Sequence, residues 1–315
     1  MIDFKQFLTT IAAIFLALAV GVALGAGPLK GTADEQLRIN AESLSKDKDG
    51  LQKQILADQA QTKYQDSFAD AVSPKLVAGR LTERKVAIVT LPGANSASTK
   101  AITTLVDEAG GTVTGTITVQ SKFFDPTQAQ FVDGVTTQSA DAVSATDVAI
   151  PATATGYERT GYVLARALVS KGNGASQDAS AKTILAAFKD AGLIKAPDKL
   201  ERASLVVVIA GPAPAAAELD GVDPTAAIGL MLGLEASCEG TVVAGPPEAA
   251  ADNGTIALIR SDDDAKKVVS TVDQAQLPAG RVSAIFALVE QVDGKTGHYG
   301  MVGKVDAAAP TLTTP

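Results

Sequence analysis

Residues 6–29 contain no charged side chain, in a chain that otherwise mixes polar and apolar positions throughout. As one helix these 24 residues reach about 36 Å, enough to cross a hydrocarbon core of ~30 Å. The apolar run 7–24 is longer than the core of a cleaved export signal. That length favours a retained anchor over removal at the small-x-small site Ala23-Leu24-Gly25. Basic residues barely decide the orientation, because Lys5 is offset by Asp3 and Lys30 lies on the other flank. A short amino-terminal tail ahead of a large carboxyl-terminal region exports that region. The expected arrangement is a tail and anchor over residues 1–30, with the tail in the cytoplasm and the body outside the inner (plasma) membrane.

Past the span the pattern changes to heptads. Gly31-Thr32-Ala33-Asp34 offers a break and a helix N-cap, and a polar helical stretch follows to about residue 72. Leu37, Leu44 and Leu51 fall seven apart, with Ala41 and Ile55 on the offset positions. This is the spacing of a coiled-coil seam, interrupted by Lys48 and weakened by Gly50. Such a helix either packs on its own domain or pairs with a second copy. The seam predicts a coiled-coil stalk over residues 31–75, with Leu37, Leu44, Leu51 and Ile55 as homodimer contacts.

From residue 84 the period shifts again, and short apolar runs alternate with helical patterns. Residues 85–91 are apolar on both faces, as a buried parallel strand is. Pro92-Gly93-Ala94-Asn95-Ser96 then turns into a helix over 99–109, closed by Gly110-Gly111, and 112–119 reads as a second strand. Residues 203–210 form the clearest strand of the chain. A helix over 223–238 opens with Pro224 in its first turn, where proline is tolerated. Residues 241–244 and 255–259 read as strands, and 262–272 and 281–291 as helices. The alternation predicts an α/β domain over 84–306, an open, mostly parallel sheet with helices on both faces, receiver-like and doubly wound. Residues 120–202 break the rhythm, being too long for a crossover. Their two helical patterns, 158–171 and 180–191, meet at Gly172-Asn173-Gly174 and read as an inserted helical hairpin. Residues 307–315 read as a disordered tail.

A formal net charge of −8 argues against nucleic acid as a partner and against a body pressed on anionic lipid. With 46% hydrophobic but only 4% aromatic residues, the core is expected to be Ala, Val and Leu. The single cysteine, Cys238, excludes an internal disulfide and reads as a small core residue.

Open α/β sheets place their chemistry at the carboxyl ends of the strands. Here the first strand ends in Leu91-Pro92-Gly93 and the third in Ala210-Gly211-Pro212, neither with a carboxylate to hold the Mg²⁺ of a phosphoacceptor. Dinucleotide, P-loop and nucleophile-elbow motifs are absent from the sequence. His298, the one histidine, belongs with Cys238, Met231 and Met301 to a conceivable soft-metal set, but an exposed loop histidine is the simpler reading. Asp262-Asp263-Asp264 suits the first turn of a helix better than a metal cluster. The expectation is therefore no enzyme, no metal and no cofactor. The insertion is the interaction candidate, with Tyr162, Arg166, Leu168, Phe188 and Lys189 as its aromatic, arginine, lysine and apolar anchors.

Several segments carry a resemblance. The opening Met-Ile-x-Phe-Lys, the run Phe-Leu-Ala-Leu-Ala-Val-Gly-Val-Ala-Leu-Gly, the heptad stretch and the strand Lys85-Val86-Ala87-Ile88-Val89 are similar to the actinobacterial MctB family. So are residues 279–291 and Gly297-His298-Tyr299-Gly300. The likeness spans nearly the whole chain and looks closest to the corynebacterial members called SteB. It implies two roles. One is copper efflux or an outer-membrane channel. The other is a septal membrane protein that works with a cytosolic SteA-like partner and activates a self-inhibited NlpC/P60 peptidoglycan endopeptidase of the RipA type in cell separation. One span cannot form a conduit, a barrel needs many alternating strands, and copper ligands are scarce in the sequence; the second role is the expectation.

Overall fold

A computed structural model describes residues 4–25, 29–141, 150–172, 174–215 and 223–311. The chain divides into two compact units, Met1–Gln65 and Asp66–Pro315.

In the first unit, α1 (Phe4–Gly25) is long and apolar enough to cross a membrane. Thr9 and Thr10 donate their hydroxyls to the carbonyls of Lys5 and Gln6, at 2.6 and 2.8 Å, so neither is left unpaired in apolar surroundings. Helix α2 (Leu29–Val77) corrects the expected boundaries: it begins before Gly31 with no break at 31–34, and continues past residue 72 through Pro74. Arg38 ties it to Glu35 and Glu42 one turn away on either side, at 2.7 and 2.6 Å. Leu37, Leu44, Leu51 and Ile55 stand between 54% and 71% exposed.

Among the described residues, the second unit is built on a seven-stranded sheet in the order β3-β2-β1-β4-β5-β6-β7. The strands are β1 (Lys85–Thr90), β2 (Thr112–Val119), β3 (Ile194–Lys195), β4 (Leu205–Ile209), β5 (Thr241–Ala244), β6 (Ser270–Val272) and β7 (His298–Tyr299). The β2–β3 pair is antiparallel and the other pairs are parallel. From β1 the sheet grows in one direction to β2 and in the other through β4 to β7, so the chain changes direction between β1 and β4.

Alternate strand residues enter two separate cores. Val86 and Ile88 join Ile102, Leu105 and Val106 of α3 (Ser96–Glu108) and Ala284, Ile285 and Leu288 of α10 (Pro278–Val292). Ala87 and Val89 face the other way, with Ile117, Val206 and Val208, toward α4 (Ala129–Ala140), α5 (Gly156–Leu168), α6 (Ala179–Asp190), α7 (Pro224–Ser237) and α8 (Thr255–Ser261). The supposed insertion is therefore not an appendage. Val163, Leu164, Leu168, Ile184 and Phe188 belong to the same core as the central strands, so α4, α5 and α6 are the cover of one sheet face.

Three further readings are corrected. Residues 255–259 are the start of α8 rather than a strand: Ile256 and Ile259, three apart, share its buried side. The helix expected over 262–272 shrinks to α9 (Ala265–Val268), after which Ser270-Thr271-Val272 enters the sheet as β6. Ala307 pairs with Tyr299, so the segment expected to be a disordered tail is ordered at least there; residues 312–315 lie outside the described residues. The junction between α5 and α6 is also more than a turn, since Val169 and Ala175 pair with Ala203 and Arg202. Asn173 lies outside the described residues.

Candidate functional site

The crevice at the carboxyl ends of β1 and β4 is a cavity of about 420 Å³ reaching β5 and β6. The loops after β1 and β4 pack so closely that a side chain at Gly211 would collide with Pro92 and Gly93. Glu248 is the one ionisable side chain among the described residues of the cavity wall. Beside it, over β2, runs a hydroxyl-lined trough of about 780 Å³. Its threonines are turned inward: Thr90 and Thr118 bond each other at 3.0 Å, and Thr99 and Thr103 donate to the carbonyls one turn before them, both at 2.9 Å.

The candidate soft-metal residues are committed elsewhere. His298 Nε2 lies 3.0 Å from the carbonyl of Lys266, which can only accept, so that nitrogen carries the proton. Nδ1 then accepts from the hydroxyl of Thr271 at 2.9 Å, and burial holds the imidazole below its usual pKa. Cys238 is buried, its thiol pushed up to about 12 by burial and by Glu235. Met231 is fully buried, whereas Met301 is 77% exposed. Among the described residues no three His, Cys, Asp or Glu side chains converge to hold a metal. Asp262 instead accepts the amides of Asp264 and Ala265, at 3.0 and 2.8 Å, while Asp263 and Asp264 pair with Lys266 and Lys267.

The five interaction anchors do not form a surface. Leu168 is 1% and Phe188 0% exposed, because each points from its helix into the sheet core. Arg166 is buried as well and reaches Asp178 at 2.5 Å; Arg202 approaches the same carboxylate at 3.6 Å. Burial opposes ionisation of Asp178, but the Ala181 amide and both guanidiniums hold its pKa low, and the side chain caps α6. Lys189 pairs with Asp198 at 3.0 Å, and Tyr162 is half-buried. Aromatic and arginine content marked these residues, yet the same content serves a core.

Other residues went unread. Arg260 is buried beside the fully buried Asp273, at 2.9 Å, and also donates to Thr271 and to the carbonyls of Tyr299 and Val302. Burial raises the Asp273 carboxyl, but the amides of Met301 and Val302, Gln274 and Arg260 outweigh it and hold the pKa low. Helices α5 and α7 cross with their backbones in contact at Gly161, Gly229 and Gly233, where any β-carbon would overlap the facing chain. The Gly229-Leu230-Met231-Leu232-Gly233 spacing was the available signal.

That crossing shapes a cleft on this face, of about 770 Å³, between α4, the amino ends of α5 and α7, and α8. Val132, Tyr157, Ile228, Leu232 and Leu258 supply its apolar wall. Asp133, Glu158, Asp223 and Asp262 supply its charge, with no lysine, arginine or histidine among the lining residues.

Among the described residues, one apolar helix long enough to cross a membrane, an α/β sheet domain with clefts and buried ion pairs, and no assembled metal cluster set the class of this protein. Comparison with known proteins narrows this. Over residues 1–310 the chain matches copper transport outer membrane protein MctB, and it belongs to that family. It is 29% identical over 307 residues to the copper transporter MctB of Mycobacterium tuberculosis strain H37Rv, covering 95% of this chain and 96% of that one. The protein of the same name from Mycobacterium leprae strain TN is 30% identical over 327 positions, covering all of both chains.

Proposed function

We propose that this is a non-enzymatic, single-pass protein of the inner membrane, at the division septum. In this reading its exported α/β domain binds and activates a self-inhibited NlpC/P60 peptidoglycan endopeptidase in cell separation. The sheet is the doubly wound, receiver-like frame of a binding domain, and kinship with corynebacterial SteB is part of the proposal. The observation that carries it is the crevice at the strand ends, where Glu248 is the one ionisable group among the described residues. Where enzymes of this architecture assemble reacting groups, this domain offers a poor reaction centre, which favours surfaces as the working parts. The tail and α1 link the exported domain to a cytosolic SteA-like partner, and the exposed row Leu37, Leu44, Leu51 and Ile55 supports pairing of two copies through a coiled coil.

The test is full-length protein in lipid nanodiscs added to such an endopeptidase with a soluble stem-peptide substrate. Saturable activation is expected; its absence overturns the reading. In detergent micelles, the double variant Leu44→Glu/Leu51→Glu is expected to halve the mass of the protein component measured by light scattering, and an unchanged protein mass refutes the stalk. A second reading, copper transport, has the names of the mycobacterial relatives in its favour. Titrating copper into the same preparation separates the two, since stoichiometric binding without activation favours transport.

A further inference from the structure

We propose that the acidic cleft between α4, α5, α7 and α8 is the docking site for a basic amphipathic helix of the partner protein. This rests on the reading above only for the partner being a protein. Two independent features define what fits. The charge on the lining is of one sign, carried by Asp133, Glu158, Asp223 and Asp262 without a compensating base. The wall between these acids is apolar and contains Tyr157, which is 8% exposed and whose hydroxyl has no hydrogen-bond partner among the described residues. Tyr157 packs on Phe123 and closes the floor of the cleft with apolar surface.

The amino ends of α5 and α7 open on the same cleft and by themselves favour anions. Asp223 offsets this at α7, where its carboxylate accepts the Thr225 amide at 2.9 Å, and Glu158 lies in the first turn of α5. Asp133 lies within α4 and caps no helix. A hydrated metal ion gains nothing from the apolar wall, and an acidic helix is repelled. A helix with leucine-like side chains at i, i+3, i+4 and i+7, flanked by lysine or arginine, satisfies both parts. The cleft holds several such side chains, since its volume falls within the ~300–1,000 Å³ of ordinary ligand sites.

The probes are two labelled peptides of about 18 residues with one leucine pattern, one carrying lysine and the other glutamate on the polar face. They are titrated into full-length protein in nanodiscs, with empty discs as the blank. Saturable binding of the lysine peptide is expected, with the glutamate peptide about tenfold weaker. Asp133→Lys/Glu158→Lys is expected to weaken the lysine peptide about tenfold. Asp107→Lys/Glu108→Lys, the same charge change on exposed residues of α3, should leave it unaltered. Equal losses in both variants would mean general attraction to an acidic protein and overturn the proposal, as would no loss in the first. If charge reversal unfolds the domain, Asp133→Asn/Glu158→Gln keeps the test readable through an intermediate loss. The endopeptidase assay separates the two readings. Activation that survives Asp133→Lys/Glu158→Lys overturns the cleft and leaves the function standing, whereas wild type that fails to activate overturns the function, and the peptides alone then judge the cleft.

Discussion

Glu235, half-buried, and Asp273, fully buried, have opposite pH signatures. Burial pushes Glu235 up to about 7, only partly relieved by the hydroxyl and amide of Thr241 and by Lys171. Its folded pKa lies above the usual 4.5, so the folded protein keeps a proton that the unfolded chain releases. Its contribution to stability is therefore largest at low pH and falls as pH rises from about 5 to about 7. Glu235→Gln is expected to stabilise by ~2–3 kcal/mol above neutrality and to change little near pH 5, measured by urea unfolding at both. Asp273 runs the other way: held low by its amide donors and Arg260, it contributes above its unfolded pKa and loses that contribution as pH falls through the folded one. Arg260→Leu strands that charge in the core, and a loss of ~3–5 kcal/mol is expected in the same assay; a loss under 1 kcal/mol would deny that the pair acts as a unit. Neither residue was readable in the sequence. Cys238 was, because an isolated cysteine has few roles, whereas the environment of an acid is set by neighbours dozens of positions away.

The α5–α7 crossing is the element-level device that places the amino ends of two helices on one cleft. Gly161→Ala adds one methyl where the backbone of Gly229 lies in contact. Alanine favours a helix over glycine by roughly 1 kcal/mol, so a net loss of about 2 kcal/mol here is overpacking rather than propensity; calorimetry decides it, and an unchanged melting temperature would refute the contact. Elements with a full period were legible: β1, β2, α3, α7 and α10 fall close to their expected positions. Short ones were not. Residues 255–259 are five apolar-leaning positions, too few to separate period 2 from period 3.6, and their packing made them helical. Strands β3 and β7 have two residues each and carry no period at all.

For the whole molecule, the fold class was legible and the role of residues 120–202 was not, because hydrophobic pattern reports that a face is buried but not against what. Removing 120–202 is expected to abolish cooperative thermal unfolding by circular dichroism, since it uncovers Ala87, Val89, Ile117 and Val119 together. A deletion that still melts sharply would restore the view of a dispensable insertion. One consequence concerns time rather than stability. Val86 in β1 pairs with Leu205 in β4, 119 positions later, so the centre of the sheet cannot close until most of the body is available. Non-local pairing of this kind slows folding to about milliseconds or longer and leaves apolar strands uncovered meanwhile. Where such a domain crosses a membrane with residue 84 ahead of residue 306, β1 can pair with β2 at once, but its other edge stays open, and yield is set by whatever shields that edge until β4 arrives.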